Sequence, residues 1–153
     1  MKLSINKNII NKNETNAHQS KGFEAFDLTV NELIAHVNDG HAFSYQFENN
    51  HRKAENFICS DIIAADFDDG MTLQEAIQNE FFINNASFLY TTTSHTSENN
   101  RFRVIFQLPH TVTDKDLIRS AQTGLTRKFP ADAASVDPAR QFYGSKRDRK
   151  SVV

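Results

Sequence analysis

An apolar run in the stretch SDIIAADFDDGMTL, Ser60 to Leu73, ends in three carboxylates. If the run is a strand, its side chains alternate between faces, so Asp66 and Asp68 project one way and Phe67 the other. Two carboxylates side by side at a strand's carboxyl edge repel each other until a cation joins them or one takes up a proton. Their hard oxygens suit Mg²⁺ or Mn²⁺. Asp69-Gly70 then supplies the turn into the next helix. The bland alternative is a solvated turn, which these residue types often build. An EF-hand loop does not fit, because the glycine it wants at the sixth position from Asp66 is Met71.

A second cluster lies in TTTSHTSENNRFRVIFQL. His95, with the Ser94 and Thr96 hydroxyls, stands where it could donate to phosphate oxygens. Arg101 and Arg103 share one strand face with Ile105 and Gln107, while Phe102, Val104, Phe106 and Leu108 fill the core face. Two guanidinium groups on an open face make good phosphate ligands. Downstream, SVDPARQFYGS offers Asp137 as a third carboxylate, with Arg140 close by. SKRDRK sets Lys146, Arg147, Arg149 and Lys150 against Asp148 alone, and Arg52-Lys53 form a smaller basic pair; all are candidate nucleic-acid contacts. Each feature alone has an ordinary explanation, since exposed strand arginines, a loop histidine and an Asp-Pro turn are common. The argument rests on their joint placement.

The elements that must hold these residues follow from periodicity. Residues 8–21 are Asn-rich and read as a loop or arm. LTVNELIAHVNDG is an amphipathic helix capped by Thr29 or Asn31 and stopped at Gly40. HAFSYQFE alternates as one strand, and the polar turn NNHRKAEN follows. FICSDIIAAD is a largely apolar, central strand. MTLQEAIQNEFF is one helix, with Thr72 and Glu75 as a capping box. SFLYTTTS and RFRVIFQL form a hairpin of strands, the second stopped by Pro109. TDKDLIRSAQTGLTRKF is a helix begun by Thr113 or Asp114, and SVDPARQFYGS is a short last strand or extended segment. From Phe57 the order is β-α-β-β-α-β. The fold class is therefore α+β, an RRM-like split-βαβ core preceded by a small αβ unit. One domain over 1–153 is expected, with an N-terminal arm and αβ unit (1–53), the core (54–145) and a basic tail (146–153).

Composition narrows the class. At 153 residues, 39% hydrophobic and 24% charged, the chain can build one real core. Its net charge of −2 excludes a uniform polycation, so nucleic-acid contact would need local charge. No run is long enough to span a membrane, and MKLSINKNIINKN is too polar for a secretory signal. The lone Cys59 excludes an internal disulfide framework and reads as a small buried hydrophobe. A cytoplasmic protein with no membrane partner is expected, its core built largely from 13 phenylalanines.

Asp66-Phe67-Asp68, Thr93-Ser94-His95 and Val136-Asp137 resemble, in that order, the three motifs of the archaeo-eukaryotic primase superfamily. SHTSENNRFRVIFQLP and DPARQFYGS look like its replication-associated branch of plasmids, phages and mobile elements. The resemblance covers about Ala54 to Ser145. It implies a DNA primase-polymerase that carries out template-directed nucleotidyl transfer. Asp66, Asp68 and Asp137 would hold Mg²⁺ or Mn²⁺, and Ser94 and His95 would contact the incoming triphosphate. Single-stranded DNA template, nucleoside triphosphates and a replicative helicase on a separate chain are the implied partners. Face geometry adds Arg101 and Arg103 as phosphate ligands, with Arg52, Lys53 and Arg140 as further phosphate or template contacts. Two other readings stay open. One is a non-catalytic RRM-like module that binds single-stranded nucleic acid. The other is a haloacid-dehalogenase-like phosphatase, whose strand-end Asp-x-Asp-Gly-Thr-Leu signature resembles IIAADFDDGMTL except for an extra residue and Met71 before Thr72.

Overall fold

Two antiparallel sheets frame the molecule in the computed structural model, which describes residues 1–13 and 19–147. The first has the order β2 (Glu24–Asp27), β1 (Lys2–Ile10), β3 (His41–Ser44). The second has the order β4 (Gln46–Phe47), β5 (Phe57–Phe67), β7 (Phe102–Val112), β6 (Phe88–Thr91). Among the described residues four α-helices accompany the sheets: α1 (Val30–Asn38), α2 (Leu73–Gln78), α3 (Glu80–Asn85) and α4 (Lys115–Lys128). The class is α+β, as the periodicity predicted. Among the described residues no helix is long and apolar enough to cross a membrane. Arg149 and Lys150 of the basic tail, and residues 14–18 of the expected arm, lie outside the described residues.

β5 is the central strand, buried from Ile62 to Phe67. A run of Ile and Ala suits a strand covered on both faces. Its register with β7 sets Asp66 opposite Arg103 and Phe67 opposite Phe102. Phe67 stacks on Phe102 with ring centroids 4.8 Å apart, and Phe82 and Phe129 pack beneath them. This aromatic floor fixes where the strand ends and therefore where its carboxylates emerge. Thr29 and Thr72 both close the capping boxes expected of them, and Asp114 caps α4.

Several elements differ from expectation. β1 runs to Ile10, so residues 8–10 are strand rather than arm; Leu3, Ile5 and Ile9 are buried along it. HAFSYQFE is two strands. It breaks at Tyr45, where the chain leaves the first sheet for the second. Tyr45 is fully buried at that crossing, and its hydroxyl accepts from Gln122 Nε2 at 3.2 Å. MTLQEAIQNEFF divides at Asn79, which adopts an extended ψ of 120° and accepts from the Phe82 amide to cap α3. An asparagine that caps favours a new helix start over a continued one. β7 passes through Pro109 to Val112; β6 pairs only with residues 102–105, and the register against β5 shifts near Ser60. Proline's missing N–H is tolerated at such a bulge.

The final segment is extended, but it does not lie beside β5, where β4 sits instead. After a 3₁₀ turn at Ala133–Val136 it crosses to β3, where Phe142 and Phe43 exchange backbone hydrogen bonds of 2.8 and 2.9 Å. Its path continues over the end of α1. Ser145 N donates to Val37 O at 2.8 Å, and Gly144 passes so close to Gly40 that any Cβ at position 144 would overlap the Gly40 backbone.

Candidate functional site

Asp66, the penultimate residue of β5, lines a hollow of about 140 Å³. It is only 5% exposed, so its charge needs partners. Oδ1 accepts from Arg103 Nε, and Oδ2 lies 3.5 Å from Arg140 Nη2. Arg103 Nη1 also donates to Tyr90 Oη at 2.6 Å and to the Tyr143 carbonyl at 2.8 Å. The guanidinium sits 5.5 Å from the Tyr90 ring centre and 5.2 Å from that of Phe142. Strand register explains the set: Asp66 faces Arg103 across β5–β7, and Tyr90 faces Arg103 across β6–β7. Burial opposes the Arg103 charge, but Asp66 and Tyr90 outweigh it and hold the guanidinium above its usual value. Burial pushes the Tyr90 hydroxyl up to about 12, so it stays protonated.

Arg103 therefore corrects the expectation of a phosphate ligand on an open face. Its face is covered by the last segment, and the side chain is spent inside the protein. Arg101, two residues earlier, does line the hollow, and its Nε is buried without a partner. Asp68 is exposed on the same hollow, as alternation from Asp66 predicted. Ser94 also lines it. His95 does not: its Nδ1 accepts from the Arg101 amide at 3.0 Å and closes the hairpin loop. Arg140 bridges Asp66 and Asp132, lying 3.7 Å from the Asp132 carboxylate.

Asp137 is not brought to Asp66 and Asp68. It is exposed, its Oδ1 accepts from Ala139 N at 2.9 Å, and it lines a neighbouring hollow together with Arg52. The third carboxylate in the first hollow is Asp132, which the sequence reading passed over. The Asp132 amide donates to the Asp66 carbonyl at 2.7 Å, locking the two chain segments together. The signal was available: Ala131-Asp132 is a second apolar-Asp pair, five residues before Val136-Asp137. Of the remaining basic candidates, Lys53 is solvated 4.0 Å from Glu55. Lys146 exchanges backbone hydrogen bonds with the Asn11 side chain, and Arg147 Nε donates to Ser145 Oγ at 3.2 Å. None of these three lines either hollow.

Asp66, Asp68 and Asp132 offer the oxygen donors that Mg²⁺ or Mn²⁺ prefers and share one hollow, so by chemistry they fit such a cation. Asp137, on the other hollow, does not. As the side chains stand, no three His, Cys, Asp or Glu residues among those described converge to hold a metal ion. The Asp66 oxygens are turned to the two guanidinium groups instead.

This is an RRM-like α+β fold with a mixed carboxylate and guanidinium hollow at the end of its central strand. No protein-family model and no curated protein matches the sequence. Among solved structures, the chain is similar to the AEP domain of the cyanophage S-2L primase-polymerase. The likeness has a TM-score of 0.56 at 12% identity and covers 99% of this chain and 77% of that one. It shows a shared primase-type fold. The antiparallel β5–β7–β6 sheet is also not the parallel, doubly wound sheet that the phosphatase reading requires, and that reading falls.

Proposed function

We propose that the protein is a primase-polymerase that transfers nucleotides onto a primer strand along single-stranded DNA, with the carboxylate hollow as its active site. The observation that carries this reading is one hollow holding Asp66, Asp68 and Asp132 together with Lys12, Arg101 and Arg140, in a primase-type fold. Mg²⁺ or Mn²⁺ held by the three aspartates would, when bound, activate the attacking 3′-hydroxyl and neutralise the leaving pyrophosphate. The chain's own groups do the rest. Ser94 and Arg101 orient the triphosphate, and Arg140 shields phosphate charge. Arg103, bonded to one Asp66 oxygen, keeps that carboxylate aimed. Nucleoside triphosphates and single-stranded template are the substrates of this reading. Its setting is the DNA replication of a plasmid, phage or mobile element, with a replicative helicase on a separate chain as partner.

The test is primer synthesis and extension with Mg²⁺ or Mn²⁺, comparing wild type with Asp68→Ala/Asp132→Ala. Activity lost in the double variant is the expected result, and activity retained there would sink the site assignment. One observation favours a second reading, a non-catalytic single-strand binder: Asp66 is already neutralised by two arginines. That reading expects no synthesis with either ion, and salt-sensitive DNA binding that needs no metal.

A further inference from the structure

The end of α1 and the start of β3 bring two imidazoles together, and neither lines either hollow. His36 stands in the last turn of the helix, and His41 opens the strand. On a continued helix, residues at this spacing would be turned apart by about 140°. The chain turns back instead at Gly40, which lies in the left-handed region at φ +85° and donates its amide to the Val37 carbonyl at 3.0 Å. That turn lays His41 against the helix, in register with Ile10 of β1. Nδ1 of His36 and Nδ1 of His41 meet at 2.8 Å, with ring centres 5.1 Å apart. Both rings are half-buried.

A neutral imidazole carries one N–H and one bare nitrogen, so in this contact one ring holds its proton on Nδ1 and the other offers a lone pair. Burial holds both rings below the ordinary value of 6.5, which leaves both neutral at pH 7. Glu32 on α1 and Asp39 at its C-cap act on the pair, against Lys7 on β1 and Lys146 on the last segment. Two acids thus offset two lysines, and neighbouring charge does not bar a cation. The separation then selects a geometry. Two nitrogens bound at about 2.0 Å in adjacent corners of a square-planar ion lie about 2.8 Å apart, whereas a tetrahedral ion spreads them to about 3.3 Å.

We propose that His36 and His41 form a two-imidazole site for a late transition-metal ion of square-planar or tetragonal geometry, Cu²⁺ or Ni²⁺. No third His, Cys, Asp or Glu among the described residues converges with them, so water completes the coordination. The ion lies off the line between the two nitrogens, and each ring tilts to aim its lone pair. The ring that held its proton on Nδ1 passes it through solvent to its own Nε2, so the neutral pair binds the ion with no net loss of a proton. Once bound, the ion clasps α1 to β3 beside Gly40, on which Gly144 of the last segment is seated. The site is separate from the carboxylate hollow and stands whether or not the chain makes primers.

The experiment titrates Cu²⁺ into the whole chain in excess Mg²⁺, which keeps the carboxylate hollow from competing, and reads electron paramagnetic resonance. Fold is checked by thermal melting in EDTA. The first equivalent is expected to show coupling to two nitrogens and to raise the melting temperature. His36→Gln and His41→Gln should each lose one nitrogen coupling and weaken Cu²⁺ binding by at least about 10-fold. Asp68→Asn, in the first hollow, should leave it within about 2-fold. A first equivalent coupled to fewer than two nitrogens overturns the proposal. So does either histidine variant, folded, that binds like wild type, or loss of the same binding in Asp68→Asn. Zn²⁺ bound at least as tightly as Cu²⁺ would overturn the square-planar assignment.

Discussion

The two hollows share Lys12, Arg140 and Tyr143 as a common wall and are otherwise opposites. In the first, acids arrive from a strand end and a turn, and arginines are drawn in to neutralise them. In the second, the Arg52 cation is fixed by backbone carbonyls, and no acid among the described residues pairs with it. The contrast teaches that net charge is a poor guide to this molecule. A chain of net −2 keeps a guanidinium with no ion-pair partner among the described residues in the hollow next to its carboxylate cluster. Placement, set by strand register and by the path of the last segment, decides what each hollow can take.

The largest effect is expected from removing the guanidinium beneath the first hollow. Arg103→Met strands Asp66 in a buried site and should cost about 3–5 kcal/mol in urea denaturation. If stability falls by no more than a surface substitution would cost, the buried pair does not organise this hollow. Next comes the catalytic contrast. Asp132→Asn should lower primer extension by about 10²-fold, the scale of losing one preorganised charged group, whereas Asp137→Asn should change it by no more than about 2-fold. The reverse order in a steady-state assay would return the third carboxylate to Asp137 and erase the distinction between the hollows.

The smallest effect leaves both hollows aside. His36 and His41 meet Nδ1 to Nδ1 at 2.8 Å, with Lys7, Glu32, Asp39 and Lys146 also acting on the pair. Burial, more than any neighbouring charge, holds both imidazoles below the ordinary value of 6.5. The unfolded chain then binds protons more readily than the folded one, so stability is full above that value and declines as pH falls through it. The urea midpoint should drop modestly between about pH 7.5 and pH 5, and His41→Gln should flatten the drop. An equal drop in the variant would place the titrating group elsewhere, with the hollows as the next suspects.

Much of the architecture was legible from periodicity, because helices and strands here follow their own local patterns. Strand alternation placed Asp66 and Asp68 together, and Thr29, Thr72 and Asp114 acted as caps. What escaped was non-local. Alternation puts Arg101 and Arg103 on one face but cannot say that the last segment covers one of them and spares the other. Asp132 and Asp137 each follow an apolar residue, and only the 3₁₀ turn between them decides which faces Asp66. β1 was hidden by its asparagines. Asn6 is buried, and its amide is satisfied by Lys21 O at 2.9 Å, a partner fifteen residues away.

Gly144 gives the crossing over Gly40 one more meaning. The Tyr143 carbonyl that Arg103 grasps, and the Tyr143 ring between the hollows, both stand on a chain seated peptide against peptide, with no side chain in between. Gly144 is in effect a spacer of zero thickness. A single methyl there would raise the partition between two chambers and so detune both together, whichever of them it was meant to adjust.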